Sequence, residues 1–149
     1  MIIIDKTDLG KIIKETVHSE YYDRDANCAT TSLICLGKLL DFEPCDQLMC
    51  ASIGMHGAGG YRAQCGLVEG GLMAIGIIGS QRGLSKERII KLCYVFAKSF
   101  EHQFGSLRCR ELRPNGFTKD DPPHLCESLT IEACRFSYDF SFTYILAMT

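Results

Sequence analysis

The sequence predicts an all-α fold, a single domain of about five to six helices around a central glycine-rich apolar helix. Apolar residues recur three or four positions apart in several segments, which is the helical period. The segment from Gly66 to Ile78 is apolar or small on almost every side, as expected of a helix buried at the centre of a bundle. The length of 149 residues lies near the usual size of one domain, so we expect residues 1–149 to form a single unit.

The first two predicted helices occupy the amino-terminal third of the chain. An amphipathic pattern from Asp5 to His18 predicts the first helix, which a polar run ends. Asn27 is a suitable cap for the second, which extends through Leu40. Cys28 is then expected in the first turn of that helix.

A short helix and a glycine-rich loop are predicted before the central helix. Pro44 suits the first turn of a third helix that continues to about Ser52. Four glycines between Gly54 and Gly60 are expected to break regular structure. This loop leads to Cys65, at the start of the central helix.

A long helix follows the central one. Ser85 is a suitable cap, an apolar stripe extends to Phe104, and Gly105 is a typical stop. Cys109 comes shortly after this stop. The proline-rich segment 113–123 is expected to be an exposed loop, and its last residue, Pro123, is expected to open a final helix.

The carboxyl-terminal tail has the period of a strand. Aromatic residues alternate with polar ones between Phe136 and Tyr144, which predicts a short strand. A lone strand needs a partner, so we expect it to pair either with residues 2–4 or with a second subunit in a homodimer.

Composition and charge disfavour two classes of partner. The net charge is −2 and the basic residues are scattered, so a nucleic-acid surface is not expected. The chain has no uninterrupted apolar run of roughly 18 to 20 residues, so membrane insertion is not expected. The amino terminus lacks a secretory signal pattern, which predicts a cytoplasmic location.

Nine cysteines are the most unusual feature of the composition. In a reducing compartment such a density indicates metal or thiol redox chemistry rather than a disulfide scaffold. Four of them lie at the edges of predicted helices, where their thiolates could converge: Cys28, Cys65, Cys109 and Cys126. Four thiolates match the ligand number of an iron–sulfur cluster and equally that of a structural zinc site. The spacing does not choose between them.

Helix starts and nearby arginines are expected to lower the pKa of these thiols. The positive end of a helix dipole favours the thiolate at Cys28, Cys65 and Cys126. Arg108 and Arg110 flank Cys109 and are expected to act in the same direction. Either effect would suit ligation as well as redox reactivity.

The cysteine pattern resembles a known family, the redox-active proteins named for their C-GCAxxG-C-C pattern. Asn27-Cys28-Ala29 is similar to the first cysteine segment of that family, and the residues from Cys65 to Gly70 are similar to its signature. The segment 104–112 resembles the part that carries the third cysteine, Cys109, and Cys126 takes the fourth position. Five further cysteines lie outside the pattern.

The resemblance implies a small helical redox protein. Split-Soret cytochromes c, distant relatives of this family, carry an iron–sulfur centre, which implies an iron–sulfur cluster held by the four cysteines. This chain lacks the Cys-x-x-Cys-His haem motif, so no haem is expected. The predicted function is therefore electron transfer or redox sensing with an unidentified redox partner protein, and no substrate pocket is recognisable in the sequence. The alternatives are a metal-free thiol–disulfide protein and a zinc-stapled interaction module.

The remaining candidate residues are expected to have lesser roles. His56 could be a spare ligand or a hydrogen-bond donor to a cluster sulfur, although a solvated loop histidine is the favoured interpretation. Cys45 and Cys50 have no assigned role. Three cysteines in helix interiors are interpreted as small hydrophobic core residues, namely Cys35, Cys93 and Cys134.

Overall fold

The fold was determined as a computed structural model, which describes residues 3–113, 120–121 and 124–148. This part of the chain is all-α, as predicted, and it contains no strand. Five long helices form its body: α1 (Lys6–Tyr22), α2 (Cys28–Leu40), α5 (Gly66–Gln81), α6 (Lys86–Phe104) and α8 (Glu127–Ser141). Three short segments connect them: α3 (Asp46–Ser52), α4 (Gly57–Gly60), which is a turn with left-handed backbone conformations, and α7 (Cys109–Leu112). No described helix is both long and apolar enough to cross a membrane.

Several helix boundaries follow the predicted capping residues. The Asn27 side chain accepts a hydrogen bond from the Thr30 amide and caps α2. Ser85 caps α6 in the same way, and Gly105 ends that helix in a left-handed conformation. The predicted opening of the last helix at Pro123, and most of the predicted loop before it, lie outside the described residues.

Helix α5 is the central helix, and its glycines allow two neighbours to approach closely. A Cβ atom at Gly70 would lie 2.6 Å from Ser32 Oγ of α2. On another side, a Cβ atom at Gly71 would lie 2.3 Å from Phe96 Cζ of α6. Both distances are shorter than any normal contact, so only glycine allows α2 and α6 to pack at these depths.

The tail is helical, and the prediction of a strand is wrong. Helix α8 extends through Ser141 and continues as a π-helical turn, Phe142–Leu146. The alternating aromatics lie on two sides of this helix. Phe136 and Phe140 pack against Phe96 of α6, with ring centroids 5.7 and 5.3 Å apart. Because α8 is enclosed on several sides, a period of two reflects two buried helix faces rather than one strand face.

The same correction removes the reason for expecting a dimer. A dimer was expected to cover an unpaired strand edge, and no strand is present in the described residues. Ile2, one of the proposed pairing residues, lies outside them. The homodimer stays a prediction without support from the fold.

We expect Gly71→Ala to destabilise the fold, because the added methyl group would collide with the fully buried Phe96 ring. The free energy of unfolding should fall by about 1–3 kcal/mol, as for other overpacked core sites. Gly76→Ala is the matched control, since nothing lies within 4 Å of its Cβ position in the same helix. That variant should gain up to about 1 kcal/mol from helix propensity. Chemical denaturation measures both, and equal effects would contradict the proposed packing.

Candidate functional site

The four helix-edge cysteines come together at one end of the bundle. Cys28 and Cys109 are the first residues of α2 and α7, and Cys65 and Cys126 are the cap residues before α5 and α8. The thiol of Cys28 lies close enough to the other three for their charges to affect its pKa. Four separate segments therefore deliver one thiol each to a shared site.

Three of these thiols line one cavity, which we call the thiol cavity. It has a volume of about 860 Å³, and Cys28, Cys109 and Cys126 are part of its wall. Cys65 is only 5% exposed and is not part of that wall. The site thus has a buried thiol and a face that opens on the cavity.

The contact between α2 and α5 fixes Cys28 beside Cys65. A Cβ atom at Gly66 would lie 2.4 Å from Cys28 Sγ and 2.8 Å from the Ala29 backbone nitrogen. The missing side chain at Gly66 is therefore the space that Cys28 occupies. The Gly66 backbone N–H also donates a hydrogen bond to the Cys28 sulfur.

A short antiparallel pairing holds Cys65 beside Cys109. Gln64 and Arg108 form an isolated β-bridge. The Cys65 amide donates to the Leu107 carbonyl at 2.8 Å, and the Cys109 amide donates to the Ala63 carbonyl at 2.7 Å. This pairing brings together two cysteines that are far apart in the sequence.

Side chains from α1 and α8 position Cys126. The Thr130 hydroxyl donates to the Cys126 carbonyl at 2.9 Å and bonds to the buried Tyr21 hydroxyl. The Tyr21 ring stacks on His124, with centroids 4.7 Å apart. His124 also lies 3.5 Å from an Asp25 carboxylate oxygen. The start of α8 is therefore tied to the end of α1.

Burial raises the pKa of all four thiols, contrary to the prediction from the helix dipoles. The pKa of Cys28 is raised to about 12 and that of Cys65 to about 11, first by loss of solvation. The charges of neighbouring cysteines raise both further. Helix-dipole effects are typically about 0.3–1 kcal/mol, too small to offset this burial. Without a metal these groups are neutral thiols.

Two arginines partly oppose the rise in pKa of the thiols on the cavity side. Desolvation raises the pKa of Cys109, whereas the charges of Arg113 and Arg62 lower it. Arg113 has the same effect on the pKa of Cys126. The sequence neighbours Arg108 and Arg110 were predicted to lower the pKa of Cys109, but they are not among the groups that shift it.

The four thiols have the ligand number of an iron–sulfur cluster and equally that of a zinc site. Within the described part of the chain, no three His, Cys, Asp or Glu side chains are arranged to hold a metal ion. All nine cysteines are free thiols. Four sulfur donors beside a cavity nevertheless match the ligand type and number of an iron–sulfur cluster. The metal identity stays a prediction.

Several residues of the site were not identified from the sequence. Cys50 is exposed and lines the thiol cavity, as do Glu20 and Tyr21. His56 was expected to be solvated, but it is partly buried in the cavity wall. These residues come from α1 and the region around α3, and no local motif marks them.

The other cysteines lie apart from the thiol cavity. Cys35 and Cys134 are fully buried free thiols, and a hydrogen bond joins their side chains between α2 and α8. They are core residues, as predicted. Cys93 is partly buried and Cys45 is exposed, and neither lines the cavity.

We expect the metal-free protein to lose stability above about pH 9. The ordinary thiol pKa is 9.0, so the unfolded chain releases its thiol protons above this pH. The folded chain keeps those of Cys28 and Cys65 until about pH 12 and 11. The free energy of unfolding should therefore fall with a slope of up to about 1.4 kcal/mol per pH unit and thiol.

Denaturant titrations between pH 8 and about 11 measure this loss. Cys28→Ser should have a shallower decline than the parent, because one of the buried thiols is absent. Cys45→Ser, at an exposed position, should decline like the parent. Parallel curves for all three proteins would show that Cys28 is not protected from ionisation.

Comparison with known proteins identifies the family. The family model described as "Putative redox-active protein (C_GCAxxG_C_C)" matches residues 26–140, which include all four site cysteines. Comparisons with curated proteins and with solved structures gave no significant match. The match covers well over half of the chain. The chain belongs to the C_GCAxxG_C_C family of redox-active proteins.

Proposed function

We propose that Cys28, Cys65, Cys109 and Cys126 hold an iron–sulfur cluster that serves electron transfer or redox sensing. The observation that carries this proposal is the placement of four thiols from four segments: three line the thiol cavity, and Cys65 is held beside Cys28 and Cys109. A shared site of this kind is difficult to explain by hydrophobic packing alone, since three of the four retain partial exposure on the cavity side.

The charge balance of the site supports a bound polyvalent metal centre. Four thiolates close together repel one another, and burial adds a cost to each. The bare site avoids this cost by keeping its protons. Iron ions would compensate the thiolate charges, so metal binding would release thiol protons and stabilise the fold.

Hydrogen bonds from backbone N–H groups to two of the sulfurs also support the proposal. The amides of Leu67 and Val68 donate to the Cys65 sulfur, and the Gly66 amide donates to that of Cys28. Hydrogen bonds to ligand sulfurs raise the reduction potential of a cluster. When bound, the cluster would supply one-electron redox chemistry. The first turn of α5 would hold its sulfur ligands in place.

Anaerobic reconstitution with iron and sulfide tests the proposal. The parent protein should become brown and bind iron and acid-labile sulfide, measured by visible absorption and elemental analysis. Cys65→Ser should lose most of this iron, because one buried ligand is replaced. Cys45→Ser is the matched control and should bind as much iron as the parent.

The same measurements separate the alternatives. A colourless protein that contains stoichiometric zinc would indicate a zinc site. A colourless protein without metal, whose four thiols cycle with a disulfide reagent, would indicate a thiol–disulfide protein. Cys65→Ser with the full iron content of the parent would contradict the cluster.

Exposure of the loaded protein to air should release the cluster and oxidise its ligands. The freed thiols are close enough to affect each other's pKa, so disulfides should form among these four cysteines. Peptide mapping under non-reducing conditions identifies the pairs, and anaerobic reduction should restore iron binding. Disulfides that instead join Cys45 to Cys50 would argue against this route.

A further inference from the structure

The thiol cavity contains a buried carboxylate that lacks a full set of partners. Glu20 is 4% exposed, lies near the end of α1 and forms part of the cavity wall. Its Oε2 atom has no hydrogen-bond partner. Its Oε1 atom lies 3.7 Å from an Arg24 guanidinium nitrogen, and that arginine side chain is 70% exposed. An ion pair of this length with an exposed partner compensates a buried charge only weakly.

A second polar atom in the same wall is also unpartnered. The Nδ1 atom of His56 is buried and makes no hydrogen bond. In the described residues four buried side-chain atoms are in this condition, and two of them belong to residues that line the thiol cavity. Folded proteins pair nearly all such groups, so their concentration at one cavity indicates a ligand that pairs with them.

The size and lining of the cavity suit an organic molecule. Its volume of about 860 Å³ lies within the roughly 300–1,000 Å³ of typical small-molecule sites. Apolar side chains from α2, α3 and the start of α8 contribute to the wall: Ile34, Met49, Ile53 and Leu125. The wall thus combines an apolar surface with charged side chains of both signs, the acidic ones being Glu20 and Asp25 and the basic ones Arg24, Arg62 and Arg113.

We propose that the thiol cavity binds a small organic molecule that carries a protonated amine, with Glu20 as the partner of the ammonium group. A positively charged donor is the group that a buried carboxylate requires. The terminal torsion of a glutamate is broad, so either oxygen can be turned towards the ligand. The apolar part of the molecule lies against the apolar wall, and its other end lies near Cys28, Cys109 and Cys126. This inference rests on the proposed function for identifying the ligand as a redox substrate.

Three probes of equal shape and different charge test the proposal at pH 7: benzylamine, benzyl alcohol and benzoate. Benzylamine is protonated at this pH and should bind at least about tenfold more tightly than benzyl alcohol, because it adds a charge-assisted hydrogen bond. Benzoate has no donor for Glu20 and should bind more weakly than benzylamine; tighter binding of benzoate would show that the arginines of the wall select the ligand. Protein-observed NMR titrations measure the affinities, and the amide shifts should include Thr30 and Leu125 of the cavity wall. Equal affinities for benzylamine and benzyl alcohol would overturn the proposal, and this comparison needs no variant.

Glu20→Gln keeps the shape of the side chain and removes its charge. The preference for benzylamine over benzyl alcohol should drop to about twofold or less in this variant. Glu15→Gln, in the same helix with a side chain that is 67% exposed, should keep the parent's preference. A preference that survives in a folded Glu20→Gln protein would show that another group binds the amine.

The iron content of Glu20→Gln keeps the two proposals separate. Glu20 is not one of the four sulfur donors, so this variant should reconstitute with as much iron as the parent. Failure of the parent to bind iron, with the amine preference intact, would remove the cluster and retain the binding site. Normal iron loading of the parent without an amine preference would retain the cluster and remove the amine-binding site.

Discussion

The close approach of α2 and α5 is the contact on which the site depends. Gly66 and Gly70 lie one helical turn apart on α5, and side chains at these positions would overlap Cys28 and Ser32 of α2. The first glycine makes room for a site thiol, and the second lets the rest of α2 lie against the central helix. The two glycines of α5 therefore allow both the close packing of the core and the position of a site thiol.

The electrostatics of the site follow from its depth. Cysteine thiols at helix starts would normally be favoured as thiolates, but here loss of solvation and mutual repulsion outweigh the helix dipoles. The result is a set of protons that a metal centre can displace. Arg62 and Arg113 lower the pKa values of thiols on the cavity side alone, so the two sides of the site differ. Cys109, whose pKa both arginines lower, is also partly exposed.

The thiol cavity gives the family's cysteine pattern a physical context. A protein that only transfers electrons needs a cluster near its surface, and a cavity of this size is not required for that role. Here the cavity joins three site thiols to a buried carboxylate and a partly buried histidine. Chemistry on a bound molecule would use both the thiols and the carboxylate of this wall.

The sequence by itself determined the helical class, most helix boundaries and the four cysteines that come together. These features depend on local signals, such as the Asn27 and Ser85 caps and the apolar period of α6. It misassigned the tail, because alternating aromatics have the same pattern in a half-buried strand and in a helix buried on two sides. Only the packing of Phe136 and Phe140 against α6 distinguishes them.

The protonation state and the lining of the site were decided by tertiary structure alone. Burial depends on how helices pack, so the raised pKa of Cys28 could not be inferred from its place at a helix start. The cavity wall is assembled from segments far apart in the chain, and Glu20 carries no motif that would mark it. The sequence names the residue types that can do chemistry, whereas long-range packing determines which of them share a site and what charge they bear.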